Sequence, residues 1–278
     1  MTGKVKFLKK SILISLSFMI VSSFLFYSNA AVTALFSDNF DNGKLNDAWY
    51  REFSKMQYSG TIVNMAAASG AFRAELNKND PDVQGSKRAE ITLDREKANE
   101  EHWYSVDILL PDTKDEFYVD DVSPEIILQF HNYPDPDEEW TSPPLSLETE
   151  NGRYYIRRCW DDAPITSNDQ IYRKGYYSSD DLGSYSEDRG KWVNWVFHVK
   201  WGWEKSQNPI LEVYKNGKKA IDFNGMANTT NDKSGVYLKI GIYKWEWKMA
   251  NKKYDTTRRI VYYDNVSIDD VEKMKLGK

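Results

Sequence analysis

The stretch WVNWVFHVKWGW, from Trp192 to Trp203, decides the fold class, because apolar residues occupy every second position in it. One parity is apolar without exception, whereas the other includes Asn194, His198 and Lys200. Successive side chains of a β-strand point to opposite faces, so a period of two is typical of a strand with one buried face. The stretch therefore predicts a long strand, with His198 on its outward face as a surface or packing residue.

The same period of two recurs along the chain, between turns rich in Gly, Asn, Asp and Pro. Candidate strands are residues 62–65, 71–76, 88–93, 103–110, 125–132, 145–149, 154–160, 192–203, 210–214, 218–223, 236–244 and 259–268. Asn216–Gly217 lies between two of them and predicts a hairpin turn. So many strands require two stacked sheets, and the fold class is all-β. Residues 94–101 are the one segment expected to form a helical turn or two.

The N-terminal segment has the pattern of a secretory signal peptide. Four lysines lie within residues 1–10, residues 11–26 are almost wholly apolar, and residues 28–30 end on small side chains. This order is typical of a cleaved signal, and the apolar stretch is shorter than the roughly 20 residues of a spanning helix. We expect removal of residues 1–30, a single domain over 31–278, and secretion without stable membrane association.

Composition excludes several function classes. Without residues 1–30 the 37 Lys and Arg fall to 33, against 42 Asp and Glu, which gives a net charge of about −9. No basic face or arm indicates a nucleic-acid partner. The single cysteine, Cys159, excludes an intramolecular disulfide framework and multi-cysteine metal sites. We expect a monomer with a large core.

Three further strands carry unusual polar side chains on one face. Alternation places together Arg88 with Glu90, Gln129 with His131, and Tyr237 with Lys239, Gly241 and Tyr243. A plain solvated sheet face is the alternative for each strand taken singly. The combined set of amide, imidazole, ammonium, guanidinium and phenol suits a cleft that binds an anion and transfers protons. Glu90 is expected to orient Arg88 through a charge-assisted pair.

Three motifs resemble the signature strands of the jelly-roll polysaccharide lyases, a group that includes alginate lyases, glucuronan lyases and heparin lyase. They are KRAEI (87–91), QFH (129–131) and YLKIGIY (237–243), in this order. The resemblance spans about residues 36–268 and implies a concanavalin-like β-jelly-roll sandwich of two antiparallel sheets, whose concave face forms the substrate groove. The third strand continues with Lys244–Trp245 rather than with the Asn–Gln usual in alginate lyases, which is closer to the heparin-lyase and glucuronan-lyase branch.

The resemblance implies β-elimination on an anionic uronate polysaccharide, with loss of the C5 proton and expulsion of the O4-linked sugar. Gln129 and Arg88 would bind the carboxylate. His131 would act as the base or as part of the carboxylate clamp. Tyr243 would protonate O4, and would also be the base if ionised, a state that Lys239 would favour. One tyrosine can serve both tasks where H5 and O4 share a side, as in glucuronate or mannuronate; otherwise His131 and Tyr243 would divide them.

Other residues are candidates for substrate binding: Arg73, Glu90, Tyr133, Tyr237, Trp245 and Arg158. Arginines would offset the net negative charge locally, and aromatic rings stack on sugars, although core packing is the alternative for each ring. No cofactor is required. A structural calcium ion is an option at Asn231–Asp232 or at Asp38–Asn39–Asp41, with turn residues that bind no metal as the alternative.

Two other functions fit the same sandwich. A glycoside hydrolase needs two carboxylates that flank the scissile bond. The strand pattern Glu-x-Asp-x-x-Glu is absent, and Glu90 and Asp94 lie four positions apart. A non-catalytic carbohydrate-binding module would not need the histidine, lysine and tyrosine of the three motifs. The unsaturated product of a lyase absorbs ultraviolet light, which separates the three alternatives.

Overall fold

The computed structural model describes residues 34–65 and 68–270, and the predicted signal peptide at 1–30 lies outside them. Two antiparallel sheets stack face to face, which confirms the all-β jelly-roll prediction. No helix within the described residues is long and apolar enough to span a membrane. The strands are β1 (Phe36–Asp38), β2 (Tyr50–Phe53), β3 (Gly60–Met65), β4 (Ala68–Asn77), β5 (Arg88–Thr92), β6 (Glu101–Leu109), β7 (Glu125–His131), β8 (Leu145–Glu150), β9 (Arg153–Cys159), β10 (Tyr177–Ser184), β11 (Trp192–Lys200), β12 (Ile210–Lys215), β13 (Lys218–Asp222), β14 (Tyr237–Tyr243) and β15 (Arg258–Asp269).

Each sheet has a C-terminal strand near its middle. The eight-stranded sheet runs β13-β12-β11-β6-β15-β4-β3, with β1 also paired to β15. The seven-stranded sheet runs β10-β9-β8-β7-β14-β5-β2. Strand β14 therefore lies between β7 and β5, and the three motif strands are immediate neighbours although they are distant in sequence.

The core between the sheets follows the predicted alternation. On β11, Trp195 and Phe197 are fully buried, and Phe130 of the opposite sheet packs against Phe197 with ring centroids 5.5 Å apart. Tyr263 of β15 reaches across the core, where its hydroxyl lies 2.8 Å from the carbonyl oxygen of Ile127 and 2.9 Å from that of Gly241. The hydroxyl thus contacts carbonyls where an irregularity interrupts the β14–β7 ladder.

Some local predictions need correction. The chain leaves the predicted strand 192–203 after Lys200, and residues 94–100 contain no helical turn. Strands β1, β2 and β10 and the helix α1 (Asn168–Lys174) escaped prediction because they are short or lack clear alternation. The hairpin prediction is confirmed, since Asn216 and Gly217 have φ values of 49° and 74°.

Candidate active site

The predicted polar residues of the three motif strands lie on one face of the seven-stranded sheet. Directly paired residues of antiparallel strands share a face. Arg88 pairs with Tyr243 and Glu90 with Gly241 across β5 and β14. On the other side of β14, Gln129 pairs with Lys239, and His131 pairs with Tyr237. Alternation and register together therefore build one continuous polar surface, hereafter the groove face.

Gly241 is required where β14 meets β5. Its φ of 132° is disfavoured for residues with a side chain, and a Cβ there would lie 2.2 Å from the carbonyl oxygen of Ala89. Close approach of the two backbones explains the glycine better than the space between lysine and tyrosine that the motif alone suggests.

Two carboxylates and two cationic side chains of the groove face form a largely buried ion network. Lys239 Nζ lies 2.6 Å from Glu52 and 3.3 Å from Glu90. Arg88 lies 3.1 Å from Glu52 and 3.4 Å from Glu90. Gln129 donates to Glu90 at 2.5 Å through its amide nitrogen. The network pairs two carboxylates with two cationic side chains, so each buried carboxylate has charged partners at short distance.

Glu52 of β2 is the network member that sequence reasoning missed. Burial raises the pKa of Glu52, but the nearby Lys239 and Arg88 outweigh burial and hold it below the ordinary value. Thr92 donates a further hydrogen bond of 3.0 Å to its carboxylate. A four-residue edge strand offers too short a pattern for prediction, and only its pairing with β5 reveals that Glu52 lies opposite Glu90.

The cation next to Tyr243 is Arg88, not Lys239 as the sequence suggested. The guanidinium carbon of Arg88 lies 4.5 Å from the centroid of the Tyr243 ring. Lys239 is 2% exposed, and both of its ion-pair partners belong to the buried network. Strand register explains the difference, because Arg88 is directly opposite Tyr243 whereas Lys239 is opposite Gln129. Lys239 therefore orients the carboxylates that hold Arg88 and Gln129.

His131 is a neutral imidazole near neutral pH. Burial lowers its pKa to about 4, and the positive charges of Lys239 and Arg88 act in the same direction. Its Nδ1 lies 2.9 Å from both the amide nitrogen and the carbonyl oxygen of Asn132. If Nδ1 carries the proton and donates to that carbonyl, Nε2 has a free lone pair; in the other tautomer, Nε2 is a donor.

Aromatic rings line the end of the groove face beside His131. Tyr237 stacks on the imidazole, with centroids 5.9 Å apart, and Tyr133 packs against Tyr237 at 5.0 Å. Trp140, which is 55% exposed, contacts both His131 and Tyr133. At the other end, Trp245 lies 5.7 Å from Tyr243. The predicted ring residues Tyr133, Tyr237 and Trp245 thus lie at the two ends of the groove face.

Two predicted substrate-binding arginines lie elsewhere. Arg73 is on β4 of the eight-stranded sheet, where it pairs with Glu75 and Glu116. Arg158 is on β9, but its guanidinium lies 3.9 Å from the ring centroid of Phe223, at the edge of the core. The structure contradicts both predictions, because the sequence shows neither which sheet holds a strand nor which side of it faces outward. Arg157, the next residue in β9, is on the groove face instead.

The suggested calcium ligands already accept hydrogen bonds within the protein. Asp38 accepts from the amides of Phe40 and Asn46 and from the indole of Trp49. Asp232 accepts from the side chains of Asn132 and Thr230. A structural calcium ion stays a prediction, and no step below uses one.

Comparisons with known proteins support the sandwich and its family. A family model described as Polysaccharide lyase matches residues 40–267. The endo-β-1,4-glucuronan lyase of the fungus Trichoderma reesei has a similar structure, with a TM-score of 0.68 and 20% identity, over 85% of this chain and 95% of that chain. A mutant of alginate lyase Aly36B, in complex with an alginate trisaccharide, has a TM-score of 0.50 and 15% identity, over 87% and 100% of the chains. A search of curated proteins by sequence gave no significant match. At these identities the structural likeness supports the fold alone.

Proposed function

The chain belongs to the polysaccharide lyase family, and from that premise we propose that it cleaves a uronate polysaccharide by β-elimination on the groove face. One observation carries this proposal: His131, Arg88, Gln129 and Tyr243 from three neighbouring strands share that face, where Arg88 and Gln129 are held by the ion network. The predicted signal peptide adds that the enzyme acts on polymers outside the cytoplasm.

The first requirement of the reaction is to stabilise the enolate that forms when the C5 proton leaves. Negative charge grows on the substrate carboxylate at this step, so donors fixed in place lower the barrier. Gln129 and Arg88 are the proposed donors, and the hydrogen bonds of Arg88 to Glu52 and Glu90 both use one nitrogen, Nη1. Neutral His131 supplies one further donor or acceptor, according to its tautomer. The ion network holds the arginine and the amide in place before substrate binds.

Tyr243 is the proposed base and acid. As the phenolate it takes the C5 proton; the electron pair forms the C4–C5 double bond, and the C4–O4 bond breaks. The same hydroxyl then returns the proton to O4, so no water is consumed. The guanidinium of Arg88 lies 4.5 Å from the centroid of the Tyr243 ring, and this cation–π contact holds the ring in place. No hydrogen bond to the Tyr243 hydroxyl forms within residues 34–65 and 68–270, which leaves it available to substrate.

Glucuronan is the proposed substrate. A single tyrosine can serve as base and acid where H5 and O4 lie on the same side of the ring, as in glucuronate. Strand register is consistent with a tyrosine that performs both steps. Tyr243 pairs with Arg88 and Ile126 at one end of β14, whereas His131 pairs with Tyr237 at the other end. The Lys244–Trp245 continuation of the third strand points the same way.

A hydrolase is disfavoured by the state of the groove-face acids. Glu52 and Glu90 are both held in ion pairs with Lys239 and Arg88. Glu148 and Glu150 each lie 2.6 Å from Arg157. Burial raises the pKa of Glu148 in spite of Arg157, but only 5% of its side chain is exposed, so it has little access to a leaving oxygen. A retaining or inverting hydrolase needs one carboxyl group free to protonate the leaving oxygen.

The test is to incubate purified protein with glucuronan, alginate and heparin and to record ultraviolet absorbance. Glucuronan should give a steady rise from the unsaturated product, and Tyr243→Phe should abolish it. Reducing ends without a rise in absorbance would instead show hydrolysis. Absence of any product from all uronate polymers would contradict the proposed substrate class.

A further inference from the structure

A cluster of metal-ligand side chains lies at the start of β6, away from the ion network of the groove face. Glu96, Glu100 and His102 each offer one ligand atom, and the three atoms lie within 4.8 Å of one another. Nε2 of His102 is 3.3 Å from Glu100 and 3.8 Å from Glu96. Ligand atoms of a tetrahedral zinc ion lie about 3.4 Å apart, as its bond lengths require. Small side-chain shifts would therefore form three of four ligands.

The cluster has the outer contacts that metal ligands normally have. Nδ1 of His102 lies 3.1 Å from Asp270, and Tyr104 donates a hydrogen bond of 2.5 Å to Glu96. A carboxylate on the far nitrogen of a histidine fixes the tautomer that directs a lone pair at the metal. With Nδ1–H donated to Asp270, Nε2 is an acceptor that faces two further acceptors, and only a proton or a cation can join them.

Charge balance favours a divalent cation over a proton. Glu96, Glu100 and Asp270 bring three carboxylates to one imidazole, and the nearby Lys97 is 90% exposed and 3.7 Å from Glu100. A divalent ion bound by Glu96, Glu100 and His102 would offset more of this negative charge than the exposed Lys97 does.

We infer that Glu96, Glu100 and His102 bind a divalent transition-metal ion of the zinc type, with Asp270 as the positioning residue behind His102. Imidazole with two carboxylates suits zinc better than calcium or magnesium, which prefer all-oxygen ligands. The ion joins the connection between β5 and β6 to the first residues of β6. Its role is structural, because the site lies beside the groove face and not on it.

The metal site also fixes one end of the groove face. The amide of Glu96 donates 2.8 Å to the carbonyl oxygen of Val236, just before β14. The adjacent Arg95 lies over the ring of Tyr133 at 5.1 Å. Metal binding would thus hold Arg95 and Tyr133 together where the polymer leaves the sheet, a consequence that rests on the proposed function.

The experiment is a zinc titration of the full-length protein, by calorimetry and by thermal unfolding, after treatment with a chelator. At free zinc 100-fold above the dissociation constant, Tm should rise by roughly 5 to 10 °C. Glu100→Gln should abolish binding, and Asp270→Asn should weaken it about 10- to 100-fold. Glu100 is partly exposed, so its substitution leaves the fold intact even if His102→Gln does not.

His198 provides a matched control, because it also contacts two carboxylates, Glu101 and Glu212. The two carboxylates contact different nitrogens of the ring, so they cannot bind the same metal ion together with His198. His198→Gln should bind zinc as the wild type does. Equal zinc affinity in Glu100→Gln and wild type, or no rise in Tm with zinc, would overturn the inference. Both readouts are independent of lyase activity, so loss of the proposed function leaves this test intact.

Discussion

The outward faces of the two sheets carry similar residue types in different surroundings. On the seven-stranded sheet, His131 is near two cations, Lys239 and Arg88. On the eight-stranded sheet, both nitrogens of His198 contact carboxylates, at 3.0 and 3.1 Å, and its ring stacks on Trp103 at 3.9 Å. Residue type alone therefore does not locate chemistry, because neighbours decide whether an imidazole is available to a ligand.

Cavity size does not locate the proposed active site either. A cavity of about 840 Å³ lies at the outer face of the eight-stranded sheet, and its lining includes four aspartates and one lysine. Such a lining repels a uronate chain. The groove face instead offers guanidinium, amide and imidazole groups. Fixed hydrogen-bond donors, and not enclosed volume, therefore distinguish the proposed site from the cavity on the other sheet.

The largest expected difference between the two sheets comes from removing one phenol hydroxyl from each outward face. Tyr243→Phe should lower kcat on glucuronan about 10²- to 10⁴-fold, the range for loss of a proton-transfer group. Tyr214→Phe, on the eight-stranded sheet, loses only a 2.9 Å hydrogen bond to Glu212 and should keep wild-type kcat. Steady-state rates of product absorbance provide the measurement. Equal losses in both variants would contradict the assignment of the groove face.

The second contrast is between buried and exposed ion pairs. Lys239→Met leaves Glu52 and Glu90 enclosed with one cation, which should cost about 3–5 kcal/mol of unfolding free energy. Lys219→Met removes an exposed partner of Glu212 and should leave the free energy of unfolding close to the wild-type value. Urea unfolding of both variants measures the difference. Similar costs would show that the network is not the buried group of paired charges described above.

The pH dependence of stability tests the enclosure of His131. Its folded-state pKa of about 4 is below the ordinary 6.5. Between these values the unfolded chain binds a proton that the folded chain does not. The free energy of unfolding should therefore fall as pH drops from 6.5 to 4, by up to about 1.4 kcal/mol per pH unit from this group. His131→Gln should flatten the slope, and an unchanged slope would argue against the low pKa.

The smallest expected effect belongs to the cavity of the eight-stranded sheet. Trp103 lines that cavity and stacks on His198. Trp103→Ala should leave KM for glucuronan unchanged, whereas Trp140→Ala should raise it, because Trp140 packs beside His131 on the groove face. Kinetics across a range of polymer concentrations separates the two variants. A raised KM for Trp103→Ala alone would move the binding surface to the other sheet.

Alternation predicted most of the groove face but not its internal contacts. Gln129, His131 and Tyr243 could be assigned to a common face because side chains two positions apart point the same way. Glu52 could not, since β2 is a four-residue strand whose meaning comes only from its pairing with β5. The sequence also could not show that Arg88, and not Lys239, lies beside Tyr243, because that contact depends on cross-strand register. Arg73 failed for a further reason, because no local pattern tells which sheet a strand joins.

The most direct test of the account uses the three histidines of the chain, His102, His131 and His198, as separate reporters. Imidazole NMR signals of the inactive Tyr243→Phe protein would be followed during titration with a glucuronan oligosaccharide. We expect the His131 signals to shift until the binding site is saturated with oligosaccharide, while the His198 signals stay unchanged. A saturable shift at His198, with His131 unaffected, would contradict it.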